Sequence, residues 1–309
     1  MAQVANVIEV RGLVKTFGSL RAVDGVSFEV AQGEVFGILG PNGAGKTTAF
    51  ECIEGLQAPT SGSAFVLGMD TQRDALRVKE RIGVQLQASA YFDYLTLTEI
   101  LELFGRFYDR RLSPVELLAK VGLQEKSKST VGNLSGGQRQ RFSIAATLVN
   151  DPEVVFLDEP TTGLDPQARR SLWELVEQVH REGRTVVLTT HYMEEAEVLC
   201  QRVAIMDRGR IVALDSPLNL VHALPTPYVV RLQSPVPLPL EALRGLPSVQ
   251  AAEHSGDSFY TMKVKDAAGS VSALVEWARS HQVSLGHLEV KPATLDEVFL
   301  TLTGRELRD

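Results

Sequence analysis

Residues 40–48 form the first segment whose residue types and spacing could do chemistry. They read Gly-Pro-Asn-Gly-Ala-Gly-Lys-Thr-Thr and match the pattern G-x-x-x-x-G-K-[ST]. Glycines let the backbone curl so that several N–H groups point at one anion, and a helix that begins there adds its positive dipole. The pattern therefore predicts a phosphate-binding loop. Its candidate binding residues are Asn42, Gly43, Ala44, Gly45, Lys46, Thr47 and Thr48.

Two acids, Asp158 and Glu159, directly follow the apolar run at 154–157. The ends of parallel strands are where open α/β sheets bind ligands. There Asp158 can hold Mg²⁺ and Glu159 can polarise an attacking water, as the transfer of a γ-phosphoryl group requires. Taken alone, such a pair is commonly a strand end that meets solvent. Its combination with a phosphate loop favours the chemical interpretation.

A third segment, Ser135-Gly136-Gly137-Gln138, has the spacing of a helix capping box. Its two glycines leave backbone N–H groups of the first turn open to an anion. A well-capped helix is the simpler interpretation. However, one phosphate loop already serves one nucleotide, so a second anion-binding helix start is unexplained within a monomer. A dimer explains it.

Continuous apolar runs predict the elements that position these residues. The runs at 34–39, 154–157, 186–188 and 203–206 are typical of strands buried on both faces of a sheet. Helical segments lie between them, which predicts an α/β fold with a mostly parallel sheet. Before them, residues 7–30 predict short alternating strands.

A change in composition near residue 222 predicts a second domain. Six of the 14 prolines lie at 225, 227, 235, 237, 239 and 247. The segments that follow read βαββαβ with one last helix from Thr294, which suggests a small α+β ferredoxin-like unit. We therefore expect domains at 1–222 and 223–309.

Composition and charge exclude several classes of protein. With 309 residues, 44% hydrophobic and 22% charged, the chain is an ordinary globular protein. A net charge of 31 − 38 = −7 argues against a nucleic-acid partner, because binding phosphates needs clustered Lys and Arg. No signal peptide is evident, and no apolar stretch approaches the roughly 20 residues of a membrane-spanning helix.

In this order, the three motifs resemble those of the ATP-binding cassette (ABC) ATPases, over about residues 7–216. The resemblance implies ATP and Mg²⁺ as cofactors. It also implies a P-loop NTPase domain with an antiparallel β subdomain and an inserted helical subdomain at about 90–150. Two chains would form a head-to-tail homodimer around two ATP molecules. Each ATP would be held by one chain's phosphate loop and by Ser135, Gly136, Gly137 and Gln138 of the other.

The resemblance assigns further residues position by position. Phe17 matches the aromatic residue that stacks on adenine, although a core residue of a hairpin is the alternative. Gln87 matches the glutamine that touches Mg²⁺ and couples to the transmembrane partner. The match departs from the usual family pattern here, because Leu86 replaces a common proline and Ala88 a common acid, and Gln85 is also near.

Two more positions complete the predicted site. His191 matches the histidine that contacts the γ-phosphate, and Asp165 matches the loop that communicates across the dimer. A structural histidine and a helix cap are their respective alternatives. The predicted catalytic residues are Glu159, His191, Gln87 and Lys46. The predicted metal ligands are Thr47, Gln87 and Asp158.

The C-terminal segment 292–305 resembles the tail of drug- and antibiotic-resistance type ABC exporter ATPases, although an amphipathic closing helix is the alternative. The resemblance implies an exporter with a separate integral membrane permease subunit. It places the chain peripherally at the cytoplasmic face of the cell membrane. The alternative function is a soluble ABC mechanoenzyme acting on ribosomes or nucleic acid. A single cassette, the absence of heptads and the acidic charge disfavour it.

Overall fold

The computed structural model describes residues 5–86, 90–256 and 258–305. The chain divides into two compact units, with the boundary between Ser216 and Pro217. The sequence placed this boundary at 222. The difference is the helix Pro217–His222, which contacts the last helix, Leu295–Thr303, within the second unit.

The first unit alternates strands and helices, as the apolar runs predict. Its strands are β1 (Asn6–Phe17), β2 (Leu20–Ala31), β3 (Val35–Leu39), β4 (Ser61–Val66), β5 (Met69–Asp70), β6 (Ile82–Gln85), β7 (Val154–Asp158), β8 (Thr185–Thr190), β9 (Arg202–Asp207) and β10 (Arg210–Asp215). Its helices are α1 (Lys46–Ile53), α2 (Ala75–Lys79), α3 (Leu97–Gly105), α4 (Pro114–Lys120), α5 (Gly136–Thr147), α6 (Pro166–Arg181) and α7 (Met193–Leu199).

Six strands form the central sheet, in the order β10-β9-β3-β8-β7-β6. Every neighbouring pair is parallel except β10 with β9, so the predicted mostly parallel sheet is confirmed. Strands β3, β7 and β8 are buried along their whole length, because helices cover both faces of such a sheet. This burial accounts for their continuous apolar sequence.

A second, antiparallel sheet has the order β2-β1-β4-β5. Where the alternation in residues 7–30 predicts several short strands, the structure has two strands of 12 residues each. Register shifts, including one between Val10 and Leu13, interrupt the alternation without ending the strand. These interruptions explain why the alternating pattern of residues 7–30 predicts separate short strands.

Helices α3, α4 and α5 form the arm that is inserted between β6 and β7. Each begins at a capping box, with Thr96, Ser113 and Ser135 as the capping residues. Within the ranges that the structure describes, no helix is both long and apolar enough to cross a membrane.

The second unit has its own sheet and core. Its elements are α8 (Pro217–His222), β11 (Tyr228–Gln233), α9 (Leu240–Arg244), β12 (Val249–His254), β13 (Phe259–Val264), α10 (Ala267–Ser280), β14 (Leu288–Pro292) and α11 (Leu295–Thr303). The sheet order is β12-β13-β11-β14, with antiparallel pairs throughout. From β11 to β14 the elements follow the predicted order βαββαβ.

We expect a chain that ends at Ser216 to fold on its own, because the buried cluster around Phe36, Phe50 and Phe156 uses side chains of the first unit alone. Circular dichroism should show one cooperative thermal transition for this fragment. A fragment ending at Val203, which lacks most of β9 and all of β10, is the matched control and should not fold. Loss of cooperative unfolding in the longer fragment would show that the first unit needs the second.

Candidate functional site

Parallel register brings three loops to one edge of the central sheet. Leu39 of β3 pairs with Thr190 of β8, and Asp158 of β7 pairs with Thr189. The residues that follow these strands therefore emerge side by side, and they belong to the phosphate loop, to Glu159 and to His191. This is the edge at which open α/β sheets bind ligands.

The loop between β3 and α1 needs its glycines. Gly45 has φ +99°, and a Cβ there would lie 2.2 Å from the carbonyl oxygen of Ala22. A Cβ on Gly40 would lie 2.2 Å from the carbonyl oxygen of Met206. A side chain at either position would collide with fixed backbone, so the loop conformation depends on glycine at both.

Phe17 and the predicted binding residues of the phosphate loop line one cavity of about 510 Å³. Its walls include Phe17, the loop residues 42–48, Glu159 and Arg208. Phe17 is 47% exposed, and its ring centre lies 5.0 Å from Nζ of Lys15. The ring is therefore not part of a hairpin core.

Lys46 is buried at the base of this cavity. Its ammonium donates to the carbonyl oxygens of Gly40 (2.8 Å) and Pro41 (3.2 Å). It also lies 3.1 Å from Oε1 of Glu159, in an ion pair whose side chains are 4% and 5% exposed. Because the pair is so well shielded from water, each charge depends strongly on the other.

Glu159 is held in an unusual backbone conformation. Its φ is +47°, in the left-handed region that costs energy for a residue with a side chain. Its N–H donates to Oγ1 of Thr189 (2.9 Å), which holds the strained residue in place. The sequence analysis did not single out Thr189, since a threonine within a buried strand carries no local signal of this contact.

The carboxylate of Glu159 joins Lys46 to His191. Nδ1 of His191 lies 3.2 Å from Oε2, and the hydroxyl of Thr162 donates to the same oxygen at 3.0 Å. The hydrogen bond from His191, helped by the charge of Lys46, lowers the pKa of Glu159 to about 2 against the effect of burial. The carboxylate is therefore ionised throughout the physiological pH range and can orient a polar group such as water.

Thr47 and Asp158 supply oxygen atoms beside the loop. The Thr47 hydroxyl donates to Oδ2 of Asp158 at 3.0 Å, and the Thr189 hydroxyl donates to Oδ1. Burial raises the pKa of Asp158, because the charged carboxylate is costly to remove from water. A bound cation would offset this cost. A hydroxyl and a carboxylate are the hard ligands that Mg²⁺ prefers, so the pair fits this ion. Gln87, the third predicted ligand, lies outside the described residues.

The predicted second anion site has its own cavity of about 530 Å³. Ser135 and Gln138 form the expected capping box: the N–H of Ser135 donates to Oε1 of Gln138 at 3.0 Å, and the N–H of Gln138 donates to Oγ of Ser135 at 3.3 Å. Asp165 lies in the same cavity and caps α6 by accepting from the N–H groups of Gln167 and Ala168. As far as the described residues go, this cavity shares no lining residue with the cavity of the phosphate loop.

A groove that the sequence analysis missed lies beside β6 and the arm. It measures about 480 Å³ and is lined in part by the aromatic residues Tyr91, Phe104, Phe107 and Tyr108. Glu54 also lines this groove and is only 2% exposed. Within the described ranges its Oε1 has no hydrogen-bond partner. Burial, with a smaller contribution from the charge of Asp158, raises the pKa of Glu54 to about 8.

The parallel sheet, the phosphate loop and the acid pair at the end of β7 together define a nucleotide-binding α/β protein. The model of the family described as ABC transporter matches residues 23–162. The Nod factor export ATP-binding protein I of Ralstonia nicotianae is 38% identical over 98% of this chain and 95% of its own. The linearmycin resistance ATP-binding protein LnrL of Bacillus subtilis is 35% identical over 98% of this chain and 100% of its own.

The chain belongs to the ABC transporter family, as an ATP-binding and ATP-hydrolysing subunit. Solved structures agree with this assignment. A dimeric post-hydrolysis form of the ATP-binding cassette MJ0796, bound to ADP and Pi, has a TM-score of 0.62 and 27% identity, and the match covers 68% of this chain and 98% of that one. These relatives give no support to the alternative of a mechanoenzyme acting on ribosomes.

We expect Glu54→Gln to stabilise the protein increasingly as pH rises from about 4.5 to 8. The folded state keeps the Glu54 proton up to about pH 8, while the unfolded chain releases it near its ordinary value of 4.5. The wild type therefore loses stability across this window, whereas the variant does not, because glutamine does not ionise. One pKa unit corresponds to about 1.4 kcal/mol, and the shift from 4.5 to about 8 spans about 3.5 units, so between low pH and pH 8 the stability difference between variant and wild type should grow by up to about 5 kcal/mol.

Chemical denaturation at several pH values measures this gain. Glu80→Gln, at an exposed glutamate, is the matched control and should give a difference that is flat with pH. An equally flat difference for Glu54→Gln would show that Glu54 is already ionised in the folded protein.

Proposed function

We propose that this chain is the ATP-hydrolysing subunit of an ABC exporter, in which two copies close around two ATP molecules and drive a separate integral membrane permease. The observation that carries the proposal is the buried chain Lys46–Glu159–His191 at the mouth of the phosphate loop. A cation, an ionised carboxylate and an imidazole side by side next to a phosphate-binding loop support the proposal, because a terminal phosphate and its attacking water would need such groups.

Nucleotide binding uses the residues of the first cavity. The ring of Phe17 stacks on the adenine, and the N–H groups of residues 42–48 surround the β- and γ-phosphates. Lys46 turns its ammonium from the carbonyl oxygens of Gly40 and Pro41 towards these phosphates. The loop carbonyls are weaker partners for an ammonium than phosphate oxygens, so ATP displaces them readily.

Hydrolysis uses the groups at the ends of β7 and β8. Glu159 orients a water whose oxygen attacks the γ-phosphorus, the bond to the ADP oxygen breaks, and the water's protons leave with the phosphate and the solvent. His191 donates to the γ-phosphate. Thr47 and Asp158, together with Gln87, would hold Mg²⁺, which would neutralise charge on the phosphate oxygens.

A second copy of the chain completes each site. The cavity of Ser135, Gly136, Gly137 and Gln138 lies away from the phosphate loop of its own chain and holds no nucleotide-binding lysine. In a head-to-tail dimer, the N–H groups at the start of α5 face the γ-phosphate bound by the other chain. Asp165 lines the same surface, so it lies at the dimer contact.

The aromatic groove beside β6 receives the permease. Leu86 and Phe107, which line it, are exposed apolar residues at 44 and 75% exposure, and Phe92 and Tyr94, next to the lining residue Tyr91 in the chain, are 57 and 95% exposed. Apolar clusters of this kind are typical of protein contacts. Docking there holds the chain at the cytoplasmic face of the membrane. Export is the direction favoured by the printed names of its relatives, which concern Nod factor export and linearmycin resistance.

We expect Glu159→Gln to bind ATP but to hydrolyse it at least about 100-fold more slowly, because glutamine keeps the size of the side chain and loses the charge that orients water. With ATP and Mg²⁺, light scattering should show that the variant accumulates as a dimer. Glu177→Gln, at a glutamate on the surface of α6, is the matched control and should turn over normally. Near-normal turnover in Glu159→Gln would remove Glu159 from the mechanism.

We expect the double variant Tyr94→Asp/Phe107→Asp to hydrolyse ATP in solution within about 2-fold of wild type. Because charge is costly in an apolar contact, its recovery with membranes of cells that make the natural transporter should fall several-fold. Val115→Asp, at an apolar residue of α4 that is 72% exposed, is the control and should bind membranes like the wild type. Equal recovery of all three proteins would place the permease contact elsewhere.

A further inference from the structure

Arg169 lies near His191 without taking part in any contact predicted from the sequence. It is in the first turn of α6, where its N–H donates to the carbonyl oxygen of Asp165 at 3.0 Å. Its guanidinium carbon lies 4.1 Å from the ring centre of Tyr192, within the range of a cation–π contact. Tyr192 directly follows His191, and the centres of their two rings are 4.1 Å apart.

The guanidinium depends on this ring to an unusual degree. In the part of the chain that the structure describes, no carboxylate lies within 4.0 Å of Arg169, and its buried Nε has no hydrogen-bond partner. The charge of Arg169 also acts on the buried Glu195, whose pKa it lowers slightly against the larger effect of burial. The flat face of Tyr192 is therefore the principal contact that fixes the position of the cation.

A second contact joins the same two helices one turn further along. The indole N–H of Trp173 in α6 donates to Oε1 of Glu195 in α7 at 3.0 Å. Helix α6 thus holds the segment that carries His191 at two points four residues apart. Its N-terminus is fixed by Asp165, which lines the cavity of the second anion site.

We infer that Arg169 is a positioning residue, which acts through Tyr192 to hold the imidazole of His191 beside Glu159. The inference rests on the proposed role of His191 at the γ-phosphate. Because Arg169 follows Asp165 by one helical turn, the placement of His191 depends on where the Asp165 loop lies.

The test is steady-state and single-turnover hydrolysis of ATP by full-length variants. We expect Arg169→Met to lower kcat about 5- to 20-fold and to leave KM for ATP within 2-fold, because the phosphate loop and Phe17 are unchanged. Tyr192→Leu should give the same loss, and the double variant no further loss. Tyr192→Phe keeps the ring and Arg169→Lys keeps the cation, so each of these variants should retain most of the wild-type rate.

Two controls separate positioning from folding. Arg170→Met, at the exposed neighbour on α6, should behave like the wild type. In the His191→Ala background, single-turnover rates should be the same with and without Arg169→Met, since the imidazole that Arg169 positions is gone. A further loss in that background, or a rise in KM that matches the fall in kcat, would overturn the positioning role.

The outcomes also separate this inference from the proposed function. If the wild type does not hydrolyse ATP, or if His191→Ala hydrolyses it normally, the proposed function or its histidine is wrong. If His191→Ala is impaired while Arg169→Met is not, the proposed function stands and the inference about Arg169 is overturned.

Discussion

The buried ion pair between Lys46 and Glu159 constrains the rest of the site. Removing two charges from water costs several kcal/mol for each, and their attraction offsets this cost only when other polar groups satisfy them. Here the carbonyl oxygens of Gly40 and Pro41 serve the ammonium, and His191 and Thr162 serve the carboxylate. The loop, the end of β7 and the end of β8 must therefore lie within hydrogen-bond distance of one another.

The parallel sheet meets this requirement because its strands are buried and their register is fixed. Slipping β8 by one residue against β7 would turn Thr189 away from Asp158. It would also turn the apolar side chains of β8 to the opposite face of the sheet. The backbone of Glu159, strained at φ +47°, is tolerated because Thr189 holds its N–H. Strain of this kind persists where the surrounding structure holds a residue firmly, and such places are commonly functional.

Two other buried carboxyls of the first unit, Glu54 and Glu195, lie on segments that also carry residues of the site. Glu54 lines the aromatic groove at the far end of α1, the helix that begins with Lys46. Glu195 accepts from Trp173 behind His191. Burial raises the pKa of both groups, so both are places where a change of partner or of geometry changes the protonation state.

The sequence by itself determined what depends on neighbouring residues. The phosphate loop, the capping boxes, the buried strands and the order of elements in the second unit all follow from short-range spacing, burial period and glycine geometry. It also indicated Glu159, which follows an apolar run, whereas His191 was indicated by the resemblance to the ABC ATPases. Only the tertiary structure decided which of these side chains touch. Some of the site's features join residues that are far apart in the chain, and others depend on the packing around one residue. The first kind includes the contact of His191 with Glu159, the support from Thr189 and the stacking of Arg169 on Tyr192. The second kind includes the exposure of Phe17 and the burial of Glu54. Such contacts are set by strand order and register, which arise from the packing of the whole unit and leave no local pattern in the sequence.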